Sequence, residues 1–165
     1  MISPMEAMTI QRATVAYTDG ILECLRAAFA PYQAVYTAGA FEDTVLTREA
    51  LLRRLDEMSV LVALDHADRV VGTVAYKISD LPEAHLRGMA VRPERQALGV
   101  AAQLLARAEA EIASANCSRI TLDTTEPLQR AMRFYERHGY RRSGRTQDFF
   151  GMLLIEYVKI MIPED

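Results

Sequence analysis

The chain has few of the residues and runs that mark several large classes of protein. Only two of its 165 residues are cysteines, Cys24 and Cys117. They are isolated and lack metal-ligand spacing, which argues against a structural disulfide or a metal site and leaves them as small core-filling residues. No apolar run reaches the roughly 18 residues that a membrane span needs. The opening MISPMEAMTI lacks the charged start and long apolar core of a signal peptide. A cytoplasmic protein is therefore expected. Positive charge is not in excess either: 19 Lys and Arg stand against 22 Asp and Glu, for a formal net charge of -3. With no basic run and no basic amphipathic helix, neither nucleic acid nor a membrane surface is an expected partner. Repeats, low-complexity segments and linkers are also missing. The remaining composition, 50% hydrophobic and 25% charged, suits one globular domain over residues 1–165, burying about two-thirds of its unfolded surface.

Periodicity then divides the chain. Met8–Ala13 reads as a strand, and Thr18-Asp19-Gly20 as a cap and turn before a helix over Ile21–Phe29. Pro31–Phe41 has no clear period and reads as a loop or short irregular helix rich in aromatics. Thr47 caps a helix over Arg48–Met58, with Glu49 in its first turn. Val60–Leu64 and Val70–Ile78, β-branched runs flanking polar Asp65–Arg69, read as an antiparallel hairpin. Leu81-Pro82 breaks the chain before a strand over Ala84–Val91. Val100, Leu104, Ala108 and Ile112 recur on one helical face. Arg119–Asp123 is a short strand, Thr124 or Thr125 caps a helix beginning at Pro127 and ending at Gly139, and Tyr140–Gly144 and Met152–Met161 are two last strands joined through Thr146–Gly151. The order is β-α-α-β-β-β-α-β-α-β-β, an α/β fold with a mixed sheet and helices on both faces.

One stretch carries most of the functional information. In Val91–Leu105, a strand end is broken by Pro93, and Gln96-Ala97-Leu98-Gly99-Val100-Ala101 leads into a helix. A helix's first turn presents N–H groups without intrahelical partners and about half a positive charge, so it attracts anions. Gly99 and Ala101 keep the backbone approachable. Two phosphate motifs are excluded by spacing, since neither a Gly-Lys-Ser/Thr nor a G-x-G-x-x-G is present.

The pattern that remains, Gln96-x-x-Gly99-x-Ala101 after Val91-x-Pro93, resembles the pyrophosphate-binding motif of the GNAT superfamily of N-acetyltransferases. A second matching segment, Ala131-x-x-x-Tyr135-x-x-x-Gly139-Tyr140, follows at the expected distance. The likeness is good from Leu81 to Tyr140 and holds in outline on the flanks, and the family fold has the element order given above. It implies acetyl-CoA as co-substrate, bound by Gln96, Ala97, Leu98, Gly99, Val100 and Ala101, with Phe134 beside it and the backbones of Met89, Ala90 and Val91 on the pantetheine arm and thioester. It implies that Tyr135 donates a proton to the departing sulfur. Ala97 and Leu98 stand where many relatives have Gly and Lys, and Leu128 where an Asn often contacts CoA. Arg92, Arg95, Arg130 and Arg133 are the cations that could compensate.

An alkylamine is almost wholly protonated at pH 7, so acetyl transfer also needs a proton acceptor. Glu83 and His85 share a face of the strand before Ala90, and His85 matches a position where some relatives place a catalytic glutamate. A free imidazole titrates near pH 6.5, which suits the task. The acceptor pocket is expected from Tyr32 and Tyr36 in the first loop and from Phe149 and Phe150 in the last hairpin, where Asp148 is a turn residue or a partner for a cationic amine. The expected activity is acetyl transfer to a primary amine, on a small molecule or a peptide, in a ternary complex. The rival is a non-catalytic acyl-CoA-binding or regulatory domain, and homodimer formation stays open.

Overall fold

The computed structural model describes residues 8–79 and 82–161; the MISPMEA start and Leu81 of the expected Leu81-Pro82 break lie outside them. Strand β1 (Thr9–Arg12) leads into helix α1 (Thr18–Phe29), α2 (Ala38–Thr44) and α3 (Arg48–Glu57). The hairpin of β2 (Ser59–Leu64) and β3 (Val70–Ile78) and strand β4 (Glu83–Val91) follow, then α4 (Val100–Ser114), β5 (Arg119–Thr125), α5 (Gln129–Arg137), β6 (Arg141–Phe149) and β7 (Met152–Ile160). The strands form one sheet in the order β1-β2-β3-β4-β5-β7-β6. Among the described residues only β4 and β5 pair in parallel, as expected for strands joined through a crossover helix. This is the mixed sheet with helices on both faces that the periodicity predicts.

The two faces bury separate cores. On one, α4 lays Val100, Leu104, Ala108 and Ile112 against Leu61, Val71, Leu86 and Ile120, joined by Met132 and Tyr135 of α5. On the other, Ile21, Leu22 and Leu25 of α1 and Leu51 of α3 pack on Val60, Val62 and Ala75. Each fully buried aliphatic side chain contributes about 2 kcal/mol, enough to clamp the helices that carry the site.

Three local expectations need correction, and a fourth, the loop-or-short-helix reading of Pro31–Phe41, is narrowed. Thr18, Asp19 and Gly20 are already helical, because Thr18 Oγ1 bonds back to the Val15 carbonyl at 2.7 Å and starts α1 early. Part of Pro31–Phe41 belongs to α2, whose first turn is capped by Thr37 Oγ1 accepting from Ala40 N. Thr124 and Thr125 cap nothing: they pair with Ile155 and Leu154 of β7, so α5 starts later, with Leu128 at the cap and Pro127 before it, and it stops at Arg137. Thr146–Phe149 is strand rather than connection, since it pairs with Met152–Ile155 and the hairpin turns at Phe150-Gly151.

Two irregularities of β4 create the site. Its pairing to β5 runs only from Glu83↔Arg119 to Leu86↔Leu122, and beyond that the strands separate. On its other edge, Arg87 faces Ala75 and Ala90 faces Thr73, so Gly88 and Met89 together oppose Val74. This is a β-bulge, and Gly88 adopts φ +69° there, a value costly for residues with a Cβ.

Candidate active site

The separation of β4 from β5 opens a cleft of about 710 Å³ that passes between the two faces of the sheet. At one end is the turn before α4. Ala97 and Gly99 both have positive φ, +64° and +87°, and the chain curls so that the N–H groups of Ala97 through Ala102 find no acceptor among the described residues. Such a row of aligned donors is a ready anion cradle. Gln96 braces it: its amide donates to the Val91 carbonyl at 3.1 Å and accepts from Arg130 Nη1 at 3.1 Å. Of the four candidate compensating arginines, Arg95 and Arg130 line the cleft. Arg92 does not. It is buried, donates to the Val70 carbonyl at 2.7 Å and pairs with Glu23.

In the middle of the cleft, α5 places Tyr135 with Phe134 packed edge-on at 5.3 Å. The Tyr135 hydroxyl bonds to no described residue, and burial pushes its pKa far above the ordinary phenol value. At neutral pH it is therefore protonated and carries a proton to give. Met89, Ala90 and Val91 line the same space from β4.

On the opposite face, His85 lines the cleft beside Asp123. Its Nδ1 shares a hydrogen bond with Thr121 Oγ1 at 2.8 Å, and its Nε2 lies 3.4 Å from Asp123 Oδ2. Burial raises the Asp123 carboxyl above the usual carboxylate range. Neighbouring His85 opposes that shift and Glu156, its cross-strand partner on β7, adds to it. Glu83 is elsewhere: it sits at the start of β4, 3.6 Å from Arg119 Nε, and does not line the cleft.

The walls of this half come from Tyr32, Tyr36 and Phe149. Tyr36 donates to or accepts from Thr125 Oγ1 at 2.5 Å, and burial raises its phenol pKa. Phe150 lies outside, exposed at the hairpin tip, with its ring over Gly39 of α2 and its carbonyl accepting from Thr37 Oγ1 at 2.8 Å. Leu98 is likewise outside the lining. The structure thus gathers Tyr32, Tyr36, His85, Tyr135, Phe149 and the anion turn, and sets Glu83, Leu98 and Phe150 apart. It adds Asp123, Arg54 and Arg87, which periodicity alone assigns to ordinary strand and helix positions. A glycine within a β-rich run, Gly88, was the available signal for the bulge.

A family model for acetyltransferases of the GNAT family matches residues 21–140, and the chain belongs to that family. A curated relative, the uncharacterized protein YdhI of Bacillus subtilis (strain 168), is 30% identical over 88 residues. The match covers 53% of this chain and 53% of that protein, so the chain spans about half the length of the curated relative it matches. Among solved structures, PaiA N-acetyltransferase from Thermoplasma acidophilum in complex with coenzyme A is similar with a TM-score of 0.78, 18% identity, and 93% and 98% of the two chains covered. A GNAT-family acetyltransferase from Staphylococcus aureus Mu50 gives 0.77 at 18% identity, covering 94% and 100%. The ribosomal-protein-S18-alanine N-acetyltransferase of Escherichia coli gives 0.74 at 14% identity, covering 96% and 97%. At such identities the likeness is one of fold. Among the described residues no helix is long and apolar enough to cross a membrane.

Proposed function

We propose that the protein transfers the acetyl group of acetyl-CoA to a primary amine by direct attack within a ternary complex. The observation that carries this reading is continuity: the turn residues Ala97 and Gly99 to Ala102 with their free N–H groups, the Tyr135 phenol and the His85–Asp123 pair all line one cleft. The turn takes the pyrophosphate, and the unpaired edge of β4 takes the pantetheine arm. The free backbone of the bulge polarises the thioester carbonyl.

The amine nitrogen attacks that carbonyl, forming the C–N bond while its proton passes to His85, directly or through one water. The Nε2 to Asp123 contact of 3.4 Å is longer than a tight hydrogen bond, so the ring edge is open to that proton, and the carboxylate stabilises the imidazolium that forms. The C–S bond breaks, the sulfur takes the Tyr135 proton, and exchange with solvent returns a proton to the phenolate and removes one from the His85 imidazolium, so both groups end the turnover as they began it. Neither cysteine serves as an acyl carrier: Cys24 and Cys117 are buried and do not line the cleft, and burial pushes the Cys24 thiol up to about 12, so it is not a thiolate nucleophile.

A non-catalytic acyl-CoA-binding domain would have no use for a protonated phenol facing a histidine–carboxylate pair across one cleft. A screen of amines for CoA release tests the reading. Amine-dependent release is expected, and CoA binding without release on any acceptor would favour the binding domain.

A further inference from the structure

The acceptor half of the cleft holds a positive charge that the protein does not neutralise. Arg87 of β4 and Arg54 of α3 both line it. Arg87 Nη2 is held by Asp43 Oδ2 at 2.9 Å. Arg54 is partly buried, yet its guanidinium makes no hydrogen bond or ion pair with any described residue. Asp43, the carboxylate whose field reaches it, is taken up by Arg87.

Its position is informative. A Cβ built on Gly88 would lie 2.5 Å from Arg54 Nη1, so the guanidinium occupies the room left by the missing side chain at the bulge, beside the backbone where β4 leaves β5. Burial, and after it the neighbouring Arg87, lowers the Arg54 pKa to about 10, which leaves it charged at neutral pH. Withdrawing a guanidinium from water without a partner is costly, and its five donors in a planar fork match a carboxylate bidentately. The same pocket holds the His85–Asp123 pair, which faces the amine. An acceptor with an amine at one end and an anion at the other satisfies both.

We propose that the acceptor is an amine that carries a carboxylate, an amino acid or short peptide whose carboxylate is held by Arg54. This rests on the acetyltransferase reading above and names its substrate class. The cleft must also admit the thioester end of acetyl-CoA, which keeps the acceptor small.

The test compares each of the common amino acids with its amide and its decarboxylated amine, and with short dipeptides, measuring kcat/KM from CoA release. A carboxylate should raise kcat/KM at least about tenfold over the amide, as expected for a charge-assisted bidentate contact. That ratio should fall to within about threefold of one in Arg54→Gln and be partly kept in Arg54→Lys. Dipeptides matching free amino acids would place the anion at a peptide C-terminus; their failure would restrict it to free amino acids. Wild-type turnover of amides equal to that of acids, or a ratio untouched by Arg54→Gln, would overturn the proposal while leaving the acetyltransferase reading standing. A second measurement does not need turnover: calorimetric titration of N-acetyl amino acids and their methylamides into the CoA-loaded protein. Preference for the acid that vanishes in Arg54→Gln, with no amine acetylated, would keep the anion site and refute acetyl transfer; no preference there would overturn the anion site.

Discussion

His85 and Asp123 meet across the parallel β4–β5 pair at the step where pairing ends: His85 is in register with Thr121, the last paired rung is Leu86↔Leu122, and Asp123 is the first β5 residue beyond it. The Nε2 to Oδ2 approach of 3.4 Å thus falls at the fork, where both side chains still touch and the backbones have begun to part.

In the proposed mechanism, that placement makes His85 the proton acceptor. His85→Gln should lower kcat/KM by about a hundredfold, within the usual range for a general base, and flatten the rise of kcat/KM with pH. Glu83→Gln, engaged with Arg119 outside the cleft, should change the rate less than about threefold. A full pH–rate profile on each variant checks this. A wild-type profile in His85→Gln would show that water or backbone accepts the proton.

Tyr135→Phe removes a hydroxyl that bonds to no described residue and almost no volume. CoA affinity by calorimetry should stay within about twofold, while kcat should fall by ten- to a hundredfold, roughly 1.4 to 3 kcal/mol of barrier. A thiol is a tolerable leaving group, which sets the lower figure. Equal turnover with chemistry shown to be rate-limiting would reduce Tyr135 to packing.

At the anion turn, Gly99→Glu should abolish CoA binding, because a carboxylate would face the phosphates at the row of free N–H groups. Gly99→Ala tests the backbone alone: at φ +87° an alanine should cost about 1 to 2 kcal/mol of stability, read by urea unfolding. Unchanged CoA affinity in folded Gly99→Glu would remove the pyrophosphate assignment.

Asp65 closes the β2–β3 hairpin. Its Oδ1 accepts from the N–H groups of Ala67 and Arg69, both at 2.9 Å, and Arg95 lies 3.7 Å away. Burial pushes its carboxyl up, but these N–H groups and Arg95 outweigh that and hold it below the usual range. A depressed carboxyl stabilises the fold above its unfolded pKa, near 4, and loses that contribution as pH falls through the folded value. Asp65→Ala should therefore cost about 1 to 2 kcal/mol at pH 7, with the gap to wild type narrowing below about pH 4. A gap constant with pH would assign its role to shape alone.

The long periodic elements were legible in the chain because burial enforces period. Val100, Leu104, Ala108 and Ile112 are all on the core face, and Thr47 caps α3 through Ala50 N. The misjudged pieces are those decided by a distant partner. Thr124 and Thr125 have the chemistry of caps, but the β7 ladder claims them. Strand β6 is almost wholly exposed, so no alternation marked Thr146–Phe149. Within the site, the anion turn and Tyr135 follow from local motifs. Asp123 and Arg54 do not, since each acquires its meaning only from what lies opposite in the folded sheet.

The bulge at Gly88-Met89 also changes the phase of β4. Before it, Ala84 and Leu86, the even positions, join the core under α4; after it, the odd Val91 does so, while the even Ala90 joins the core under α1. One strand is thereby read in two frames, the first aiming His85 and Arg87 into the acceptor half and the second returning Val91 to the α4 side. Removing one residue at the bulge would bring the frames into step and turn one of these sets to the wrong face, so this short stretch tolerates substitution better than any change of length.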